Sequence, residues 1–167
     1  LYNVTTMATT WHTLATGDVS LLRRQMEAVC SLPKEFTFLN YLRCHDDIGW
    51  GLDYPWLLSR FGQWEVPHKK YLNDYFTGKW PGSLSRGELY NDDPRLGDAR
   101  LCGTTASLCG VEAAVYQQDP FLLERAISCD LTLHAWMLSQ SGIPVIYSGD
   151  EIGQLNDYTY HDDPEKR

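Results

Sequence analysis

Long apolar runs are missing from this 167-residue chain, and with them the stretch of about 20 apolar residues that a membrane-spanning helix needs. Nothing in it has the charged, apolar and small-residue succession of a secretory leader. Basic residues are few: 14 Lys and Arg stand against 22 Asp and Glu, a formal net charge of -8, and they are scattered rather than clustered. Nucleic acid is therefore not an expected partner, nor is a membrane. A neutral, hydroxyl-rich molecule such as a sugar suits that balance. The cysteines, Cys30, Cys44, Cys102, Cys109 and Cys129, are odd in number and form no Cys-x-x-Cys pair. Buried free thiols in a reducing compartment, the cytoplasm, are favoured over a disulfide framework or a zinc site.

Against these absences stands one organising stretch, residues 36–50, FTFLNYLRCHDDIGW. Phe36, Phe38, Leu39, Tyr41 and Leu42 make a strand-like apolar run without helical spacing, and the charges of His45, Asp46 and Asp47 begin where it ends. Capping or turn formation is the plain reading of such acids. A second stretch, IPVIYSGDEIGQLNDY (143–158), repeats the arrangement: a strand over 144–148 runs into Gly149, Asp150 and Glu151. Two acid-terminated strands with long segments between them predict neighbouring parallel strands of a (β/α) barrel, whose catalytic groups sit at strand C-terminal ends.

The intervening chain supplies helices. Residues 5–15 carry Met7, Trp11 and Leu14 on one face. Asp18 is a candidate N-cap for a helix to about residue 31, with Val19, Leu22, Met26 and Val29 as an apolar stripe. Asp119-Pro120 is a strong helix start. Residues 121–140 are apolar on more than one face and read as well buried, with His134 packed within them and Gly142 as a left-handed stop. Residues 48–99 differ in character. Trp50, Trp56, Trp64 and Trp80 are interspersed with Gly and Pro over about fifty residues, far beyond an ordinary connection. That composition predicts an inserted subdomain, its aromatics serving either as core or as sugar platforms.

LNYLRCHDDIGW (39–50), GDARLCGTTASL (97–108) and SGIPVIYSGDEIGQLNDYTY (141–160), with weaker likeness in YNVTTMATTWHTLAT (2–16), resemble the α-amylase superfamily of retaining glycoside hydrolases and transglycosylases. Within it they are most similar to the amylosucrase-like branch, which Arg43-Cys44 before the histidine also fits; Leu52 departs from the aromatic common there. The resemblance implies an α/β fold, a partial (β/α)8 TIM barrel of the sixth to eighth strand units. Residues 1–47 would be helix six and strand seven, 48–100 an irregular, mostly helical insert, and 101–167 helix seven, strand eight and its loop. With Leu1 in place of a start methionine and a barrel needing about 250 residues, the chain is expected to be a piece of a larger protein.

The same resemblance assigns roles. Asp46 is the transition-state stabiliser, gripping the hydroxyls of a glucosyl ring, and His45 donates a hydrogen bond to that ring. Asp47 pairs with an arginine beyond the eighth strand, and Arg100 faces the glucan acceptor. From its residues alone, Arg100 is as readily a surface arginine paired with Asp98 or Asp93. Asp150 and Glu151 receive no chemical role, and no cofactor or metal is expected. Retaining transfer also needs a nucleophile and an acid/base about 5 Å apart. The family carries both on its fourth and fifth strands, and no segment here matches either, so this polypeptide alone is expected to be inactive. The implied reaction is α-glucosyl transfer from sucrose to an α-1,4-glucan. An α-glucosidase, sucrose hydrolase or amylase-type hydrolase is the near alternative, and a non-catalytic glucan-binding module the distant one. A metal site on His45-Asp46-Asp47 and the similar His161-Asp162-Asp163 is disfavoured, because adjacent residues rarely converge on one ion.

Overall fold

Two strand-like stretches far apart in the chain lie side by side. Strand β1 (Leu39–Asn40) runs parallel to β5 (Ile143–Pro144), Leu39 opposite Ile143 and Asn40 opposite Pro144. On its other side Leu39 forms a parallel bridge with Tyr2; Leu39 N–H donates to the Leu1 carbonyl at 2.7 Å, and Asn3 N–H to the Leu39 carbonyl at 3.0 Å. Buried Asn40 ties all three segments. Its Oδ1 accepts from Asn3 Nδ2 at 2.8 Å, and its Nδ2 donates to the Ser141 carbonyl at 2.9 Å. Gly142, with φ +128°, closes the approach: a Cβ there would stand 2.4 Å from the Phe38 carbonyl oxygen.

The computed structural model describes residues 1–163 and 165; residues 164, 166 and 167, the end of the expected 101–167 segment, lie outside the described residues. The fold is mixed α/β, rich in helix, with few and short strands. Both anticipated strands are shorter than their apolar runs. Phe36 is exposed, its N–H turned back to the Pro33 carbonyl. Pro144 offers no donor to the ladder, and pairing ends at Val145 as a turn begins at Tyr147.

The helices α1 (Val4–Thr16) and α2 (Ser20–Cys30) follow the spacing closely in extent, less so in face. Met7 and Trp11 are buried as expected. In α2 it is Leu21 that is buried, while Val19, at the head of the expected stripe, is 61 % exposed. The N-cap is Val19 rather than Asp18, and its side chain makes no capping bond; Asp18 lies one residue before it and accepts from Ser20 N–H at 2.7 Å. The thiols are all free as expected, but only Cys109 is buried and Cys30 is exposed.

Residues 48–100 have more order than their composition suggests. Helices α3 (Tyr54–Phe61) and α4 (Glu65–Phe76) are joined by an antiparallel sheet of β2 (Ile48–Gly49), β3 (Glu88–Asp93) and β4 (Asp98–Cys102), in the order β2-β4-β3. The missed signal was the alternation in DARLC, which buries Ala99 and Leu101 and turns Asp98 and Arg100 outward. Because β4 runs to Cys102, it also crosses the expected boundary at residue 100. The two sheets share one core. Trp11 meets Phe76 edge-on at 5.7 Å, and Phe76 stacks on Trp50 at 5.4 Å, joining α1, α4 and the chain beyond β2. The buried indoles are satisfied: Trp11 Nε1 donates to the Leu42 carbonyl at 2.7 Å and Trp50 Nε1 to Asn73 Oδ1 at 2.9 Å.

Short helices α5 (Thr105–Leu108) and α6 (Val111–Gln117) lead to α7 (Pro120–Ser139), capped as predicted by Asp119, whose Oδ1 accepts from Phe121 N at 2.9 Å and Leu122 N at 3.1 Å. The expectation that this helix is well buried does not hold. Only Ala126 and Met137 are fully buried, while Phe121 is 79 % and Leu131 63 % exposed. A helix apolar all round needs neighbours all round, and α5, α6 and α1 cover one side only. The helix ends at Ser139 with Gln140 extended, so Gly142 serves the close approach to Phe38 rather than a left-handed stop. Among the described residues no helix is long and apolar enough to cross a membrane.

A histidine pair sets a pH dependence. His12 on α1 and His68 on α4 are 3 % and 5 % exposed, with ring centroids 5.0 Å apart. Neither His12 nitrogen finds a hydrogen-bond partner among the described residues. Burial first, then His68, brings the His12 pKa down from 6.5 to about 4, against an opposing pull from Asp18. The unfolded chain thus takes up its proton at higher pH than the folded one. The stability His12 contributes as a neutral ring is complete above pH 6.5 and is lost as pH falls toward about 4, by up to about 3 kcal/mol. In urea titrations at pH 7 and pH 4.5, His12→Leu is expected to reduce that acid loss by more than about 1 kcal/mol; an unchanged loss would remove His12 as its source.

Candidate functional site

The polar residues after β1 sit on a loop pinned at both ends. Upstream, Tyr41 and Leu42 are buried, and the Leu42 carbonyl is held by Trp11. Downstream, buried Ile48 pairs with Leu101 across β2 and β4. Between them Arg43 turns inward. Its Nε lies 2.8 Å from Asp150 Oδ1, with side chains only 14 % and 3 % exposed, and its guanidinium covers the Tyr147 ring at 4.5 Å. Asp150 Oδ2 accepts from Thr105 Oγ1 at 3.0 Å, and His134 Nε2 stands 4.0 Å away. Asp150 therefore anchors the loop from beneath. His134 is half-buried against Asp130, whose hydrogen bond raises its pKa.

With Arg43 drawn in, the next residues project outward. The His45 and Asp46 side chains are 68 % and 79 % exposed and lie 3.5 Å apart. Asp47 reaches across to β4, where Cys102 Sγ donates to its Oδ1 at 2.9 Å. Burial, reinforced by Asp47, pushes the Cys102 thiol up to about 12, so it remains a donor at neutral pH. The arginine expected to pair with Asp47 would fall just past residue 167; within the described residues Cys102 is the partner seen.

The loop forms a ridge between two clefts. The smaller, about 190 Å³, is lined by His45, Asp46 and Asp47 together with Cys44, Cys102 and Tyr147. The larger, about 420 Å³, is lined by Asp46, Asp47, Tyr41 and Arg100. Both carboxylates thus face both clefts, Arg100 joins them on one side, and His45 stands on the other. Arg100 is exposed and lies over the backbone of Gly49, where a Cβ would come within 2.0 Å of its Nη1. It pairs with neither acid considered for it: Asp98 is taken by Lys69 at 2.5 Å and Asp93 by Arg95 at 3.0 Å. An arginine and two carboxylates on one open cleft, with a tyrosine behind, can bind a polyhydroxylated molecule by accepting and donating hydrogen bonds.

Reasoning from sequence missed the Arg43–Asp150 pair and the Cys102–Asp47 bond. The first had a signal, since an arginine inside an apolar run requires a buried carboxylate or backbone acceptors. The second depends on the unforeseen β2–β4 pairing. His161 of the second His-Asp-Asp sequence is engaged elsewhere, 3.2 Å from Glu88.

No protein-family model matches the chain.

Asp150→Ala leaves Arg43 half-buried without its carboxylate and is expected to cost roughly 3 kcal/mol of folding stability. Asp46→Ala, on the exposed side of the same loop, is expected to stay within about 0.5 kcal/mol of the parent. Chemical denaturation of both variants checks the contrast, and equal losses would contradict the division into anchor and presented group.

Proposed function

We propose that this chain forms part of a retaining α-glucosyl-transferring enzyme of the amylosucrase-like branch of the α-amylase superfamily, moving a glucosyl unit from sucrose to an α-1,4-glucan. In this reading residues 1–47 and 101–167 are strand units six to eight of a (β/α)8 barrel, and residues 48–100 an insert at its mouth. One observation carries it. The His45-Asp46-Asp47 sequence follows the middle of three parallel segments and stands between two clefts, one of which also holds Arg100. Catalytic groups of such barrels occupy this position.

The chemistry follows from the transition state. As the glycosidic bond breaks, the ring flattens and gains oxocarbenium character. A fixed carboxylate whose hydrogen bonds to ring hydroxyls tighten only in that geometry lowers the barrier without equally stabilising bound substrate. Asp46 takes this part: its loop is held on either side by the Leu42 and Ile48 contacts, and its carboxylate lies 3.5 Å from His45 Nε2. His45 donates to the same ring. Asp47 is oriented by Cys102, and Arg100, across the larger cleft, meets the acceptor. The nucleophile and the acid/base are assigned to parts of the enzyme beyond these residues. The high exposure of Asp46 accords with a pocket whose other walls such parts supply.

A second reading has one observation in its favour. Trp64 is 67 % exposed and lines a cleft of about 460 Å³ with Gln63 and Tyr71. An open indole beside an amide suits the face of a pyranose, so the insert can serve as a glucan-binding surface. Retention of the protein on a glucan affinity gel, weakened by Trp64→Ala but not by Asp46→Asn, would support that reading; equal retention of both variants and parent would refute it.

The main reading is tested on the full-length protein with sucrose and maltooligosaccharides. Chain growth with fructose release is expected. Asp46→Asn should lower kcat by about 10³-fold or more with folding intact, and Arg100→Ala should raise the acceptor KM while sparing fructose release. Residues 1–167 alone should show no turnover. Turnover by that piece, or full activity in Asp46→Asn, would sink the assignment, and free glucose without polymer would move it to hydrolysis.

A further inference from the structure

We propose that the smaller cleft binds a thiophilic divalent cation of the zinc class through Cys44 Sγ, an imidazole nitrogen of His45 and a carboxylate oxygen of Asp46. One ligand atom from each of these residues lies within 4.8 Å of the others. Zinc bonds of about 2.0–2.3 Å give tetrahedral edges of about 3.3–3.8 Å, so the widest separation has to close by about 1 Å. His45 and Asp46 have that freedom, being exposed, with their charged groups 3.5 Å apart. Cys44 supplies the fixed point, packed half-buried against the core.

The cleft completes the coordination. Cys102 and Asp47 line the same space of about 190 Å³ but are bonded to each other, so water takes the fourth position. The donor set selects the metal. Sulfur, imidazole nitrogen and one carboxylate oxygen suit zinc or cobalt, whereas calcium and magnesium require shells of oxygen. Charge balances as well: a Cys44 thiolate and the Asp46 carboxylate neutralise a dication, the thiol proton passing to solvent. Arg43 lines the cleft and would repel a cation, but its charge is held by Asp150 at 2.8 Å and its plane by Tyr147. Adjacency had counted against a metal on His45-Asp46-Asp47. Cys44, His45 and Asp46 are equally consecutive, but here the donor atoms do converge, one from each residue lying within 4.8 Å of the others. The site draws on the His45 and Asp46 that the carbohydrate reading gives to the sugar, so metal and sugar would exclude one another there; the metal proposal itself rests on the donor atoms and its test uses no sugar.

The test is titration of the reduced full-length protein with cobalt(II), followed by the near-ultraviolet charge-transfer absorption that appears when a thiolate binds cobalt. A saturable band that zinc bleaches is expected. Cys44→Ser should abolish it, and His45→Ala should weaken binding by about tenfold or more, while Cys30→Ser, an exposed thiol elsewhere, should leave the titration unchanged. Far-ultraviolet circular dichroism checks each fold, and His45→Ala, at an exposed position, decides the matter if Cys44→Ser fails to fold. No saturable band in the parent, or a band unaltered in His45→Ala, would overturn the proposal.

Discussion

Much of this molecule depends on a single buried amide. Asn40 is 1 % exposed and bonds through both ends of its side chain, to Asn3 on one flank and to the Ser141 carbonyl on the other. The three parallel segments have few ladder bonds of their own, so lateral ties matter unusually here. Removing one end of such an amide strands a buried donor or acceptor and costs more than the bond itself contributed. Asn40 also fixes register, since a slip of one residue would turn its side chain to the opposite face. The site three to seven residues downstream inherits that register.

From Asn40 onward the chain is held alternately from below and from the side. Trp11 grips the Leu42 carbonyl, Asp150 grips Arg43, and β4 receives Ile48 and Asp47. The effect is to separate the residues that anchor from those that are presented. Arg43, Asp150 and Ile48 are largely buried; His45 and Asp46 are open on a ridge with a cleft at each side. The loop joins two sheets of different kinds, one parallel and one antiparallel, and the aromatic contact of Trp11, Phe76 and Trp50 holds these together. Through Gly49, Gly51 and Arg100, residues 48–100 thereby line the larger cleft.

What could be read from sequence was what local chemistry dictates. The apolar run ending in His45-Asp46-Asp47, the Asp119-Pro120 start and the buried faces of Met7 and Trp11 each rest on neighbours within a few positions. The misreadings concern partners distant in the chain. DARLC alternates as a strand should, yet its pairing with Ile48 and Gly49 lies beyond local pattern. The stripe of α2 was displaced from Leu21 because spacing alone does not say which side the core is on. The apolar circumference of α7 was taken for burial, although composition reports only what a helix could bury. Asp150 cannot be matched from sequence to Arg43, more than a hundred positions earlier.

The bare flank of α7 has a bearing on motion. Its inner side is secured by buried Ala126 and Met137, by Cys129 and Leu133 against the core and by the Trp136 bond to Thr10, while Phe121, Ile127 and Leu131 leave its outer side without apolar contact to oppose local opening. Amide protons there should exchange through openings that leave the Trp11 centre undisturbed. Such breathing reaches the strands directly, for the chain leaving α7 passes at once through Ser141 and Gly142 to β5. Whatever lies against that flank in the working protein would quiet the helix, and with it the floor beneath Arg43.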